Sequence, residues 1–197
     1  MKNLVIFGIS EYSEVASYYF NNHSDYKIVS YTVDDEFVTS NKFNNLDVVP
    51  YSEISKHKDI KNDTSFFIAI GYSKNNEVRK NTYNKLKKEG VTFANFISND
   101  AIIAKNSIIG ENVFILEQNN IQAFVEIGNN VVLWSGNHIG HHSKIKDHTF
   151  ITSHVVVSGG VEIGQSSFLG VNSTIVDHIT LDENSFIKAN SLVSKSV

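Results

Sequence analysis

Residues Ala101–Ser196, written in blocks of six, read AIIAKN SIIGEN VFILEQ NNIQAF VEIGNN VVLWSG NHIGHH SKIKDH TFITSH VVVSGG VEIGQS SFLGVN STIVDH ITLDEN SFIKAN SLVSKS. The third residue of every block is aliphatic, from Ile103 and Ile109 through Ile139 and Ile145 to Ile187 and Val193. Ile, Leu and Val make up about a quarter of the chain, so chance would fill about four of these positions rather than all of them. A period of six fits neither a helix face, which repeats near 3.6, nor a strand face, which repeats at 2. It fits a solenoid of short flat strands with one aliphatic side chain pointing inward per strand. The residue two before the aliphatic one is small or β-branched in most blocks (Ala101, Ser107, Val113, Val125, Ser143, Thr149). The residue three after it is mostly Asn, Gly, His or Ser, which tolerate a tight or left-handed turn. One block cannot bury its own apolar face, whereas stacked coils can.

The totals narrow the function. The 197 residues suffice for one large or two small domains, and 41% hydrophobic with 19% charged residues is ordinary globular composition. A net charge of −4 gives no electrostatic case for nucleic acid or an acidic membrane as partner. The absence of cysteine removes disulfides, thiol catalysis and thiolate metal sites together. The opening MKNLVIFGIS carries too short an apolar run for a signal peptide, and no run reaches membrane-spanning length, so the expectation is a cytoplasmic soluble protein.

The first half is built differently. Leu4–Phe7 is a short apolar run ending at Gly8, followed by Val15, Tyr18 and Tyr19 at helical spacing. Ile28–Val33 reads as a second strand ending in Asp34-Asp35, Asp47–Val49 as a third, Tyr51–His57 as a short helix after Pro50, and Ser65–Ile70 as a buried strand ending at Gly71. Asn75–Glu89 reads as a helix capped by Gly90. Alternating strand and helix predicts a small parallel α/β domain, half of a Rossmann-like unit. The first turn, Gly8-Ile9-Ser10, is either a phosphate cradle at a helix N-terminus or a bare structural turn. It holds one glycine where a dinucleotide fingerprint has three. Asp34-Asp35 at a strand's C-terminal end suits ribose or base hydroxyls, or is a solvated turn.

The hexapeptide pattern resembles the left-handed parallel β-helix of the hexapeptide acyltransferases, and that resemblance supplies three blocks per coil and the left hand. The order Gly8-Ile9-Ser10, Asp34-Asp35, Ala69-Ile70-Gly71, Asn75-Asn76-Glu77-Val78-Arg79, then hexapeptides, resembles the nucleotide-sugar acetyltransferases of the sialic acid O-acetyltransferase and bacillosamine N-acetyltransferase type. It covers essentially the whole chain. The resemblance implies a Rossmann-like α/β domain over residues 1–97 that holds a nucleotide sugar, and a left-handed β-helix over 98–197 that uses acetyl-CoA. It also implies a homotrimer with acetyl-CoA between adjacent β-helices. Gly8, Ser10, Asp34, Asp35, Gly71 and His138 fall on the substrate site, and Phe150, Gly159, Val171 and Ala189 on the CoA site. The implied reaction is N-acetylation of a nucleotide-linked amino sugar for surface polysaccharide or glycan biosynthesis. The alternatives are O-acetylation of a sialic-acid-like or other sugar hydroxyl, and a non-catalytic sugar-nucleotide-binding module. Glu11-Tyr12 replaces the family's glycine-histidine after the first turn, and Tyr72-Ser73-Lys74 is extra.

Six histidines lie in the repeats. His142, His148, His154 and His178 occupy the turn slot, His138 precedes an inward Ile, and His141 sits one before a turn slot. The resemblance makes His141 the general base, and a sugar amine, largely protonated near pH 7, needs one. His142 follows it where the family has Asp or Glu, and Asp147 is a candidate to orient it. Gly159 lies one implied coil further on, about one strand spacing or 4.8 Å away, and its backbone N–H falls on the family's oxyanion donor. Clustered histidines on such a scaffold also resemble the γ-type carbonic anhydrases, but those use two ligands five residues apart, a spacing no pair of histidines has here. No metal is expected.

Overall fold

A computed structural model describes residues 1–56 and 63–197. The chain forms two compact units: residues 1–71 with 82–94, and residues 72–81 with 95–197.

The first unit is a parallel sheet with one added hairpin strand. Its strands are β1 (Lys2–Phe7), β2 (Tyr26–Val33), β3 (Lys42–Phe43), β4 (Leu46–Pro50) and β5 (Ser65–Ile68), in the order β3-β4-β2-β1-β5. All neighbours are parallel except β3 and β4. Leu4–Phe7 of β1 is an unbroken apolar run because both faces are covered there. Val5 and Phe7 join a cluster with Ile54, Phe66, Ile68 and Leu86, while Leu4 and Ile6 are also fully buried. Helix α1 (Glu11–His23) follows β1, and its buried Phe20 packs 5.0 Å from Phe67. After Pro50 the chain makes a 3₁₀ turn, Tyr51–Lys56, and His57, the last residue of the helix expected there, lies outside the described residues. The hairpin strand β3 escapes sequence reading, since two residues carry no periodicity.

The second unit is the solenoid. From Phe96 onward every block contributes a two-residue strand ending on the repeat's aliphatic residue, and these strands form three parallel sheets with 18-residue steps between paired positions. This unit is a left-handed parallel β-helix of hexapeptide repeats. Its three faces are named here by a central residue: His138 (six strands), Lys144 (five) and Phe150 (six). The aliphatic positions from Ile115 to Ile187 are all buried in one continuous cluster. Each is worth about 1.5–3 kcal/mol relative to exposure, so the repeat is the stability of this unit. Every turn slot from Asn112 to Asn190 has positive φ, between 53° and 78°. The turn-slot histidines are therefore placed by backbone geometry first.

Helix α2 (Glu77–Lys88) begins in the second unit and ends in the first, and starts two residues later than its sequence pattern suggests because Lys74, Asn75 and Asn76 are left-handed.

Candidate active site

The corner between the His138 and Lys144 faces carries the most reactive groups. The chain leaves Ile139 through Gly140, which passes so close to the next coil that a Cβ would come 2.6 Å from the Gly159 nitrogen. His141 is then fixed by its backbone: its N–H donates to Gln122 Oε1 (2.9 Å) and its carbonyl accepts from Gly160 N–H (2.8 Å). His142 (φ 61°) turns the chain, and its N–H donates to the Ala123 carbonyl.

The two side chains on this turn are exposed, and they meet. Their Nδ1 atoms lie 3.1 Å apart with the rings edge to face. The His141 ring lies over Gly159: a Cβ there would sit 2.7 Å from its Cε1 and 2.8 Å from its Nε2. Only glycine permits this ring position. Among the described residues no protein acceptor takes the Gly159 N–H. A basic nitrogen and an unclaimed backbone donor thus sit side by side, as proton transfer coupled to charge development on a carbonyl oxygen requires.

The other expected residues fall into separate groups. His138 is half-buried on the flat face that begins at this corner. Val171 and Ala189 are exposed at the far edge of that face, in adjacent coils joined by Asn190 N–H to the Val171 carbonyl (2.8 Å). Phe150 is on a different face and only 3% exposed. Tyr72 (5.3 Å) and Phe168 (6.1 Å) cover its ring, and the Arg79 guanidinium lies 5.7 Å from its centre. Within this chain it has no free face for a ligand. Asp147 is turned away from His141: its carboxylate accepts from the Asn129 N–H (2.7 Å). The side chain that His141 meets is His142 instead.

In the first unit, Gly8 (φ 132°) ends β1 against Ala69, where a Cβ would come 2.7 Å from the carbonyl oxygen. Ser10 is exposed at the N-cap of α1, and its N–H donates to Ser13 Oγ (3.1 Å). Asp34 and Asp35 line a surface depression with Tyr51, Ser52 and Lys85. Asp34 pairs with Lys85 (2.5 Å), whose ammonium lies 4.0 Å from the centre of the Tyr51 ring. Asp35 accepts from the Ser52 hydroxyl (2.6 Å) and N–H (3.2 Å), which lowers its carboxyl below the usual range. Sequence reading does not place Lys85 in this group. Its position on the outer turn of a helix looks solvated, and only the fold brings it to Asp34. A Cβ added to Gly71 would meet nothing within 4 Å, so packing does not demand the glycine.

The corner between the Lys144 and Phe150 faces is a second polar cluster that sequence reading misses. Arg79 is fully buried. It donates to the carbonyls of Asn130 and His148 (2.7 Å for the latter) and to Asn76 Oδ1 (2.6 Å). Asn76 in turn donates to the Ser166 and Ser167 carbonyls (3.0 and 3.1 Å). The Asn-Asn-Glu-Val-Arg run thus ties residues 72–81 to the solenoid. His148 is buried beside Asn130 Nδ2 (2.9 Å), and burial together with the Arg79 charge pushes its pKa down to about 4. No group of three or more His, Cys, Asp or Glu side chains among the described residues is arranged to hold a metal ion. No helix among them is long and apolar enough to cross a membrane.

Comparison with known proteins finds likeness in both halves of the chain. The PglD N-terminal domain model matches residues 3–86, and the bacterial transferase hexapeptide model (six repeats) matches residues 124–159. UDP-N-acetylbacillosamine N-acetyltransferase of Bacillus subtilis is 29% identical over 116 residues, covering 59% of this chain. The chain spans about half the length of that curated relative. The acetyltransferase domain of PglB from Neisseria gonorrhoeae superimposes with a TM-score of 0.86 at 17% identity, over 100% of this chain and 93% of the other. PerB from Caulobacter crescentus, solved with CoA and GDP-perosamine, superimposes with a TM-score of 0.87 at 20% identity, over 100% and 91%. At such identities the superpositions speak for the fold. The two sequence models stand in chain order, a PglD N-terminal domain followed by hexapeptide repeats, and that is what this chain is similar to.

Proposed function

We propose that this chain is an acetyl-CoA-dependent N-acetyltransferase acting on the amino group of a nucleotide-linked amino sugar, in surface polysaccharide or glycan biosynthesis in the cytoplasm. The observation that carries the reading is the His141 ring lying over Gly159, whose N–H has no protein acceptor among the described residues. The activity of the Bacillus subtilis relative and the ligands of the Caulobacter crescentus structure support the choice of donor and acceptor class.

His141 Nε2 takes the proton that the amine nitrogen loses as it bonds to the thioester carbon. Negative charge builds on the thioester oxygen, where the Gly159 N–H donates to it. The C–S bond then breaks, and His141 returns its proton to the CoA sulfur, leaving amide and thiol. General-base help is worth about 10²–10⁴-fold, and one oxyanion donor about 10²–10³-fold. The first unit holds the nucleotide at Asp34, Asp35, Gly8, Ser10 and Gly71. Asp35, kept ionised by Ser52, is the stronger candidate for a sugar hydroxyl, because Lys85 already pairs with Asp34.

The working form is a homotrimer. His141 with Gly159 and Val171 with Ala189 lie at opposite edges of one flat face, so a CoA touching both sets is best accommodated in a groove between two neighbouring prisms. His138, on that face, would then point into the groove.

The test is thiol release from acetyl-CoA with a panel of amino- and hydroxy-nucleotide sugars. An amino sugar is expected to release thiol, with His141→Ala and Gly159→Ala each slower by at least about 100-fold. Release with no acceptor, or with wild-type rates in both variants, contradicts the reading. A preference for hydroxyl acceptors moves it to O-acetylation.

A further inference from the structure

The His141–His142 contact constrains the protons. Two ring nitrogens 3.1 Å apart share one hydrogen, donated by one ring and accepted by the other. If His142 donates, a neutral His141 carries its own proton on Nε2 and has no basic nitrogen toward Gly159. If His141 donates, its Nε2 is bare and points to the Gly159 side.

Phe124 is the second observation. It occupies a turn slot in the left-handed region (φ 63°), where a bulky aromatic is uncommon and strained. Every other left-handed turn slot in the solenoid holds Asn, Gln, Gly, His or Ser. Phe124 is 57% exposed, so burial does not explain it. Its ring stacks on His142, centres 4.6 Å apart and planes 25° apart, one coil before the histidine pair. That stack fixes the plane of His142 and so aims its Nδ1. Among the described residues no carboxylate hydrogen-bonds either ring. The other titratable groups on the turns that follow this face are Lys105, Lys195, Asp177 and, past Gly160, His178, whose Nε2 lies 3.9 Å from Asp177.

We propose that His142, braced by Phe124, is a positioning residue that accepts the Nδ1 proton of His141 and so holds His141 in the tautomer whose Nε2 takes a proton. The kinetic consequence rests on the acetyltransfer reading; the tautomer does not. When His141 takes a proton on Nε2, its Nδ1–H continues to donate to His142, which stabilises the imidazolium with no change of charge on His142.

The experiment uses the full chain labelled with ¹⁵N-histidine near pH 8, as wild type, His142→Gly and His142→Asp. Glycine suits φ 61° and keeps the turn while removing the acceptor. In the wild type the ¹⁵N shifts of His141 are expected to report Nδ1 protonated and Nε2 bare. In His142→Gly they are expected to move to mainly Nε2–H, and in His142→Asp to return. In thiol release, kcat of His142→Gly is expected to fall about 10-fold with the KM for acetyl-CoA within about 2-fold, since only proton transfer suffers. His142→Asp is expected to recover most of that loss. Its acidic limb should move to higher pH, because an anion beside His141 favours the protonated ring. A wild-type His141 protonated on Nε2, or a tautomer unchanged in His142→Gly, overturns the proposal, as does an unchanged kcat. If the tautomers behave as expected while no acceptor releases thiol, the positioning role stands and the acetyltransfer reading falls.

Discussion

His142 and His148 occupy the same slot in consecutive repeats, with φ of 61° and 65°, yet they are chemically opposite. His142 is exposed, stacked on Phe124 and bonded to another histidine. His148 is buried beside an arginine and held neutral, with a pKa of about 4. The repeat dictates where the backbone puts a histidine; the neighbouring coils decide what the ring can do. At one corner those neighbours are glycines and a stacked phenylalanine, leaving a proton acceptor open to solvent. At the other they are Asn130, Arg79 and Phe150, and the result is a structural joint.

The joint is the place to break the comparison hardest. Arg79→Met keeps the aliphatic stem but leaves the carbonyls of Asn130 and His148 and the Oδ1 of Asn76 without their donor. Stranded buried acceptors cost about 1–3 kcal/mol each, so the loss is expected to reach about 3 kcal/mol or more. Urea unfolding monitored by circular dichroism measures it, and a change below about 1 kcal/mol would mean the run from Asn75 is not an anchor.

His148 gives a pH signature. Its folded pKa lies below the value near 6.5 of the unfolded chain, so the unfolded state binds more protons between those values. Stability contributed by the neutral ring is present above pH 6.5 and is lost as the pH falls from 6.5 toward 4. That loss is on the order of 3 kcal/mol from this group alone. His148→Asn suits the left-handed turn and is expected to flatten this part of the stability curve in thermal melts from pH 4.5 to 7.5. An unchanged slope would place the acid sensitivity elsewhere.

The smallest effect sharpens the other corner. Phe124→Asn removes an aromatic from a left-handed turn and is expected to stabilise the chain by about 1 kcal/mol. The same change frees the His142 ring, and kcat is expected to fall about 3-fold. A gain in stability with a loss in rate marks strain kept for function; a variant that loses stability shows that the stack itself holds the turn.

Much of this is legible in the amino-acid sequence itself. The aliphatic residues in register from Ile103 to Val193 mark the core, and the turn-slot residues mark the left-handed corners. His141 and Gly159 pair on the coil length that the family resemblance supplies, and the 18-residue register bears that length out. Three features stay hidden for physical reasons. Ring orientation depends on the coil before and the coil after, so only the folded chain shows the partner of His141 to be His142 rather than Asp147. The burial of Phe150 depends on Tyr72, a residue 78 positions earlier whose insertion looks like a loop. Lys85 reaches Asp34 across 51 residues, a distance along the chain that no periodic pattern encodes.

The most direct measurement sets the two corners side by side: thiol release from acetyl-CoA with the preferred nucleotide sugar, at pH 7.5, for wild type, His141→Ala and His148→Asn. His141→Ala is expected to lose at least about 100-fold in kcat with its melting temperature nearly unchanged, while His148→Asn keeps its rate within about 2-fold. If His141→Ala retains wild-type turnover, or if His148→Asn is the variant that loses it, the chemistry is not at the His141–Gly159 corner.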